Sequence, residues 1–280
     1  MTAAAAELAS GKGHKDENFP VGSFVLRREV RAPVMAFYRF ARAADDVSDN
    51  AQAPPDTKLR LFAAMRATLD GRSDVDVNAR HLRDILSDTP VPLTHAHDLL
   101  TAFERDVTKL RYDDWDDLIG YCRYSAMPVG RFMLDIHGEA KALWPQSDAL
   151  CAALQIINHL QDCGEDRAAL NRVYLPLDIM EKHGARVTDL DADRASLALR
   201  GAIRELAERT MLLLNDANGF SSAVTDMRLG VEIAVIDALA RDLTRKLMTR
   251  DPLSQPVHHS KIAMAGIAAS AGLRRLVIRR

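Results

Sequence analysis

Apolar residues recur at helical spacing along most of the chain. In the segment Thr57–Gly71, Leu59, Phe62, Met65 and Leu69 mark one helix face, and the glycine closes it. Ala32–Asp49, Ala79–Ser87, Leu93–Leu110 and Leu150–Asp166 carry the same period. So do Ala192–Asn218, Asp226–Thr249 and Ile262–Ile278. Asp114–Gly138 keeps the period but contains Gly120, Pro128 and Gly130, which predicts a kink or break in mid-helix. Glu17–Arg31 reads as an irregular lead-in, and Pro33 is placed for the first turn of the helix after it. NAQAPPDT and TPVP punctuate the early helices, and RAALNRVYLPLDIMEKHG reads as a loop with a short helical turn. Period-two alternation is missing, so no strand is predicted. With no repeat, linker or composition seam, residues 1–280 are expected to form one all-α domain, a helical bundle whose first 15 residues are a frayed start.

Two of these helices break the apolar pattern in the same way. In LCAALQIINHLQDCGED, Gln155, Asn158, Asp162 and Asp166 stand at i, i+3, i+7 and i+11. At about 100° per residue they share an arc of roughly 80°. Leu150, Ala153, Leu154, Ile156, Ile157 and Leu160 cover much of the remainder, so this helix is expected to be largely buried. In APVMAFYRFARAADDVSD, Tyr38, Arg42, Asp45 and Asp49 stand at i, i+4, i+7 and i+11 on one face within about 60°. An isolated Asp pair at i, i+4 is ordinarily a solvated face. Two pairs flanked by large apolar residues are a different matter, because buried carboxylates cost several kcal/mol unless a cation lies between them. If the stripes face each other, they form a set of hard oxygen ligands of the kind Mg²⁺ prefers, with positions open for water and phosphate oxygens. Arg42 is placed either to pair with Asp45 or Asp46 on its own helix or to hold a diphosphate oxygen. Asp46 is turned away from Asp45 and reads as a neighbour of the stripe. His159 borders the second stripe but is expected to point elsewhere, as a core histidine or one that supports the stripe's side chains. The His95–His97–Asp98 cluster reads as a surface helix start, and Met127, Phe132, Met133 and Leu134 as core or as a wall for a long apolar chain.

Composition narrows the picture further. The 280 residues are 48% hydrophobic with a formal net charge of −2, ample for a core and without a nucleic-acid signature. Cys122, Cys151 and Cys163 have no zinc-like spacing, and a reduced, cytosolic protein is expected. MTAAAAELASGKGHK lacks the basic and apolar regions of a signal peptide, and no run approaches a membrane span.

The segments FYRFARAADDVSDN and ALQIINHLQDCGEDRAALNRVYLP resemble the two signature regions of the squalene/phytoene synthase family, enzymes that join prenyl diphosphates head to head. The resemblance covers roughly Glu17 to Leu177, with a weaker helical tail. It implies an all-α isoprenoid-synthase-type bundle with a central cavity. It also implies that Asp45, Asp49, Asp162 and Asp166 hold Mg²⁺ and that Asn158 shares a metal. Tyr38, Arg42 and Gln155 would contact the diphosphate or nearby substrate, and Asn18, Phe19 and Arg172 are assigned to substrate binding with them. Tyr121 and Tyr174 are candidates for stabilising a carbocation or positioning the water that quenches it, and bulk structural tyrosines are an equal alternative.

Departures from the family pattern refine the expectation. A Ser-rich lead-in is replaced by Glu17-Asn18-Phe19-Pro20, a V-A-G-type segment by Ser125–Gly130, and an arginine before the second aspartate pair by Gln161. Losing that arginine weakens the case for holding two diphosphates at once. The pattern is similar to the bacterial hydroxysqualene synthase branch, which takes presqualene diphosphate to hydroxysqualene in hopanoid biosynthesis. That reaction keeps an oxygen, so no NADPH is expected, and no Gly-rich dinucleotide fingerprint appears. The alternatives are condensation of two farnesyl diphosphates to presqualene diphosphate, a phytoene-type condensation, or a silent relative serving as a binding or assembly module. Expected partners are a prenyl diphosphate lipid and the inner face of a membrane, met peripherally, with association with neighbouring hopanoid-pathway enzymes left open. The basic C-terminal run KIAMAGIAASAGLRRLVIRR fits an anionic surface and fits an ordinary capping helix equally well.

Overall fold

In a computed structural model of the chain, residues 27–277 are described, and within them the fold is helical with a single isolated bridge, between Arg111 and Val173. Asn18 and Phe19, and the whole lead-in expected to be irregular up to residue 26, lie outside the described residues. Helix α1 runs Arg28–Asp49, starting upstream of the expected Ala32. The apolar period explains the difference, because Val30 and Val34 are buried on the same side as Phe37, Phe40, Ala44 and Val47. Pro33 is therefore an interior position and not a first-turn residue, and without an N–H it leaves the Glu29 carbonyl without its usual partner.

Three helices pack with α1: α2 Pro55–Leu69, α3 Val77–Leu86 and α4 Thr94–Thr108. Together they bury one apolar cluster around Phe40, Phe62, Leu82 and Leu100. The expected mid-helix break falls at Ala126, just ahead of Pro128, and separates α5 Trp115–Ser125 from α6 Met127–Ile136; Gly120 stays inside α5. Helix α6 joins the halves: Phe132 stacks on Phe37 of α1 with centroids 4.0 Å apart. The His95 reading is corrected here, since that ring is buried and bonded to Asp135 of α6 at 2.9 Å.

Helix α7 runs Trp144–Gln161 and α8 Cys163–Leu170, so the expected continuous helix divides at Asp162. The division is slight. Asp162 N–H still donates to Asn158 O at 3.0 Å, and Asp166 N–H to Asp162 O at 2.8 Å, which keeps the polar stripe on one side. What reads in the sequence as loop after Asp166 is helical to Leu170, and Asn171 closes α8 in the left-handed conformation at φ 54°. The chain then runs alongside the segment after α4, with Val173 N–H donating to Leu110 O and Leu177 N–H to Tyr112 O. Helices α9 Leu177–Lys182, α10 Leu197–Asp216, α11 Phe220–Ala223, α12 Met227–Leu247 and α13 Lys261–Val277 follow. A second apolar cluster, centred on α7 with α10 and α12 against it, holds Ile156, Ile157, Leu206 and Leu243. No described helix is long and apolar enough to cross a membrane.

Gly130 sets the approach of α6 to α7. A Cβ there would overlap Ser147 Oγ and Cys151 Sγ, both on α7. Gly130→Ala should therefore destabilise the protein by about 1–3 kcal/mol through overpacking. A urea midpoint unchanged from the parent would show that α7 yields freely.

Candidate active site

Helices α1 and α7 share one lengthwise design. Their early turns are apolar and line a cavity of about 340 Å³, through Val34, Phe37, Tyr38 and Ala41 on α1 and Leu150, Cys151 and Leu154 on α7. Their later turns carry the two polar stripes, the second running from Gln155 and Asn158 of α7 on through Asp162 to Asp166 of α8. The cavity lies between the two apolar clusters, with α6 and α12 completing its walls through Met133, Leu134, Leu229, Ile233 and Ile236. Of the methionine and aromatic set on α6, Met133 and Leu134 face this cavity, while Phe132 belongs to the core.

Beyond the cavity, Asp106 of α4 is a buried carboxylate, 5% exposed, that sequence reasoning missed. Its two oxygens accept hydrogen bonds from Tyr121 Oη at 2.8 Å and Tyr174 Oη at 2.9 Å. The Arg172 guanidinium fastens the same region to α1. Its Nε donates to Asp106 O at 3.2 Å, Nη1 to Asp49 Oδ1 at 2.6 Å, and Nη2 to Ser48 O and Oγ, both at 2.9 Å. A signal for Asp106 did exist, because it continues the buried Leu99–Ala102 stripe of α4 where another apolar residue would be expected.

Burial pushes the Asp106 carboxyl above its ordinary range, against the pull of Arg172 and the two phenols. The Tyr121 and Tyr174 phenols are raised well above theirs, by burial first and then by the Asp106 charge, so both stay protonated and donate. The rings themselves are held in a stack. Tyr174 lies 5.4 Å from Tyr121, 5.5 Å from Tyr112 and 3.5 Å from His159 between centroids. The expectation that His159 points elsewhere is corrected: it stacks on Tyr174, meets Gln155 Nε2 at 2.9 Å, and reaches Asp166 Oδ2 at 3.5 Å. A ring long enough to cross the 100° between neighbouring helix positions, with an aromatic face to lie on, accounts for the difference.

On α1, Arg42 binds both Asp45 Oδ2 at 2.8 Å and Asp46 Oδ1 at 2.7 Å, so the intrahelical pairing is the one formed. Asp46 is the neighbour it was expected to be. Burial and the neighbouring Asp49 charge push the Asp45 carboxyl up to about 7. Burial, Asp166 and Glu165 raise that of Asp162. Gln161 is buried and donates through its amide to Val257 O, away from any substrate charge. Thus Tyr121, Tyr174, Arg172 and Asp49 are joined in one network through Asp106, while Gln155 and Asp166 are joined through His159.

The donor set fits a hard dication. Asp45, Asp49, Asp162 and Asp166 are carboxylates with no thiol among them, and each stripe crowds its own negative charge. Among the described residues, no three acidic, His or Cys side chains yet converge on one point. Asp45 and Asp49 instead each carry an arginine, Arg42 and Arg172.

A family model described as squalene/phytoene synthase matches residues 12–263. A hydroxysqualene synthase of Zymomonas mobilis is 53% identical over 274 residues, which covers 97% of this chain and 92% of that protein. One from Rhodopseudomonas palustris is 51% identical, covering 99% and 94%. Among solved structures, a squalene synthase from Alicyclobacillus acidocaldarius superposes with a TM-score of 0.73 at 30% identity, covering 87% of this chain and 91% of that one.

Removing the Asp106 carboxylate should leave two buried phenols without an acceptor and Arg172 with Asp49 alone as its neighbouring negative charge. Asp106→Ala is expected to cost about 3–5 kcal/mol of unfolding free energy, and Tyr121→Phe alone about 1 kcal/mol. Denaturant titration checks both, and an Asp106→Ala variant as stable as the parent would remove the network from its structural role.

Proposed function

The chain belongs to the squalene/phytoene synthase family, and we propose that within it this enzyme converts presqualene diphosphate and water to hydroxysqualene and diphosphate. The observation that carries the chemical class is the shared polarity of α1 and α7, whose apolar turns line one cavity and whose polar turns follow, the acidic residues Asp45 and Asp49 on α1 and Asp162 and Asp166 at the end of α7 and in α8. A substrate with one long apolar body and one diphosphate matches that layout. The names of relatives at 46–53% identity over nearly the full chain favour this member of the family's reactions. Gln161 supports it independently, since it spends its amide on the backbone of Val257 and adds no charge for a second diphosphate.

Asp45, Asp49, Asn158, Asp162 and Asp166 would hold Mg²⁺. When bound, Mg²⁺ supplies electrostatic stabilisation of the charge that develops on the leaving diphosphate. Arg42 adds a guanidinium to the same stripe, poised to exchange a carboxylate partner for a diphosphate oxygen. Gln155 sits one turn before Asn158 and presents its amide beside His159, where a diphosphate oxygen or its bound water can be met. Tyr121 and Tyr174 keep their phenol oxygens turned to Asp106, so what they offer toward a cation is ring face and not hydroxyl. The cavity walls exclude bulk water from the rearranging carbon skeleton. No reductant is called for, because the product keeps an oxygen. Peripheral contact with an anionic membrane belongs to the same reading, and exposed Ile262 and Leu273, which share one side of α13, support it.

Purified protein incubated with Mg²⁺ and presqualene diphosphate, without NADPH, should yield hydroxysqualene by mass spectrometry and leave farnesyl diphosphate unchanged. Conversion of farnesyl diphosphate to presqualene diphosphate would instead establish the preceding step, and turnover of neither would favour a silent relative. Asp45→Asn and Asp162→Asn should each lower diphosphate release by on the order of 10²-fold or more. Cosedimentation with anionic vesicles, reduced in an Ile262→Glu/Leu273→Glu variant, checks the membrane contact.

A further inference from the structure

Gln161 ends α7 and stands directly before Asp162 of the second stripe. Its side chain is buried, and both hydrogens of its amide nitrogen are spent on the loop that follows α12. One goes to Val257 O, and the other meets His258 Nδ1 at 3.1 Å, 97 positions further along the chain. A carbonyl oxygen can only accept, so the amide turns Nε2 toward the loop, and Nδ1 is then the accepting nitrogen of the ring. The imidazole proton is left on Nε2, across the ring from Gln161. His258 is exposed, yet it is fixed on both sides, because the Val257 side chain is buried and the His259 ring is bound to Asp242 Oδ2 at 2.8 Å. Fastening the loop does not require the His258 ring. Asp251 already holds the loop's start, accepting from Ala195 N at 3.0 Å and Ser254 Oγ at 2.7 Å. What the ring does reach is the acidic stripe: burial, Asp166 and Glu165 raise the Asp162 carboxyl, and His258 is the first of the groups that pull it back down.

We propose that His258 is a diphosphate-binding residue of this site, donating its Nε2–H to an oxygen of the substrate's diphosphate beside Asp162. This rests on the reaction given above in that the substrate carries a diphosphate. The acids of the two stripes repel such a head group, so the hydrogen-bond donors around it have to come from other residues. Arg42 offers one set from α1, and His258 offers another from a distant part of the chain. Gln161 therefore does more than leave out a charge. It recruits a donor that brings no fixed charge of its own, in keeping with one diphosphate and not two. The bond should strengthen as the C–O bond to the leaving group breaks and negative charge collects on the diphosphate, so it serves turnover as well as binding.

Three variants test this by calorimetric titration with inorganic diphosphate in the presence of Mg²⁺, alongside turnover of presqualene diphosphate. His258→Ala and His258→Phe should each weaken diphosphate binding about tenfold and lower kcat for diphosphate release by about as much again. His258→Gln should bind within about threefold of the parent, since its amide oxygen can accept the Gln161 hydrogen and its NH2 group can still donate. The ring is exposed, so all three should keep the parent's unfolding midpoint, which separates a lost contact from a lost fold. Diphosphate bound by His258→Ala and His258→Phe as tightly as by the parent overturns the inference, and so does equal weakening in all three variants. Unmodified protein that binds diphosphate without turning over presqualene diphosphate overturns the proposed reaction alone, and the binding comparison still decides this inference. Unmodified protein that binds no diphosphate overturns both.

Discussion

A single buried carboxylate organises the acidic end of this molecule. Asp106 accepts two phenol hydrogen bonds and lies beside Arg172, whose remaining nitrogens hold Asp49 and the Ser48 backbone. Four separate parts of the chain meet there: the end of α1, the last turn of α4, α5, and the extended segment after α8. A buried charged network of this kind is weak evidence of added stability, because the desolvation cost is comparable to the attraction gained. What it supplies is position. The guanidinium can satisfy its partners in only one arrangement of α1 against the segment after α8, and the two phenols fix the rings that pack beside His159 and the second stripe.

From that constraint the division of labour along α1 and α7 follows. Each helix must be apolar where it borders the cavity between the two cores and polar where it leaves it, and a helix of 22 or 18 residues is long enough for both. The cavity exists because the two apolar clusters do not merge. Helix α6 bridges them, with Phe132 in one and Leu134 in the other, and Gly130 keeps α6 and α7 close at one edge, so the space is bounded without being filled. Charge separation along one axis is what a substrate with a polar head and a long hydrocarbon body requires, and here it comes from two amphipathic patterns laid end to end on the same helices.

The helices and both stripes were legible in the sequence because they depend on local periodicity. The break at Ala126 was legible because Pro128 cannot donate a helical hydrogen bond. Boundaries were less so: α1 starts at Arg28 because tertiary burial of Val30 outweighs the proline cue at Pro33. The role of Arg172 as a clamp was not legible, since its partners come from positions about 66 and 123 residues away, and no spacing rule reaches that far. His159 was misread for a related reason. Its direction follows from Tyr174, which lies across a loop, and not from its own helix.

Asp106 and Glu232 carry the same mark in sequence. Each interrupts an apolar stripe of its helix, Leu99–Ala102–Asp106 on α4 and Leu229–Glu232–Ile233–Ile236 on α12. At Asp106 the surrounding groups are donors, and its oxygens are taken up by phenols that stay protonated. A carboxylate so engaged is a fixed structural charge. Glu232 lines the cavity of about 340 Å³ beside Leu229, Ile233 and Ile236. An acid on an apolar stripe therefore has to be read by what it faces, and at Asp106 two protonated phenols make it a girder.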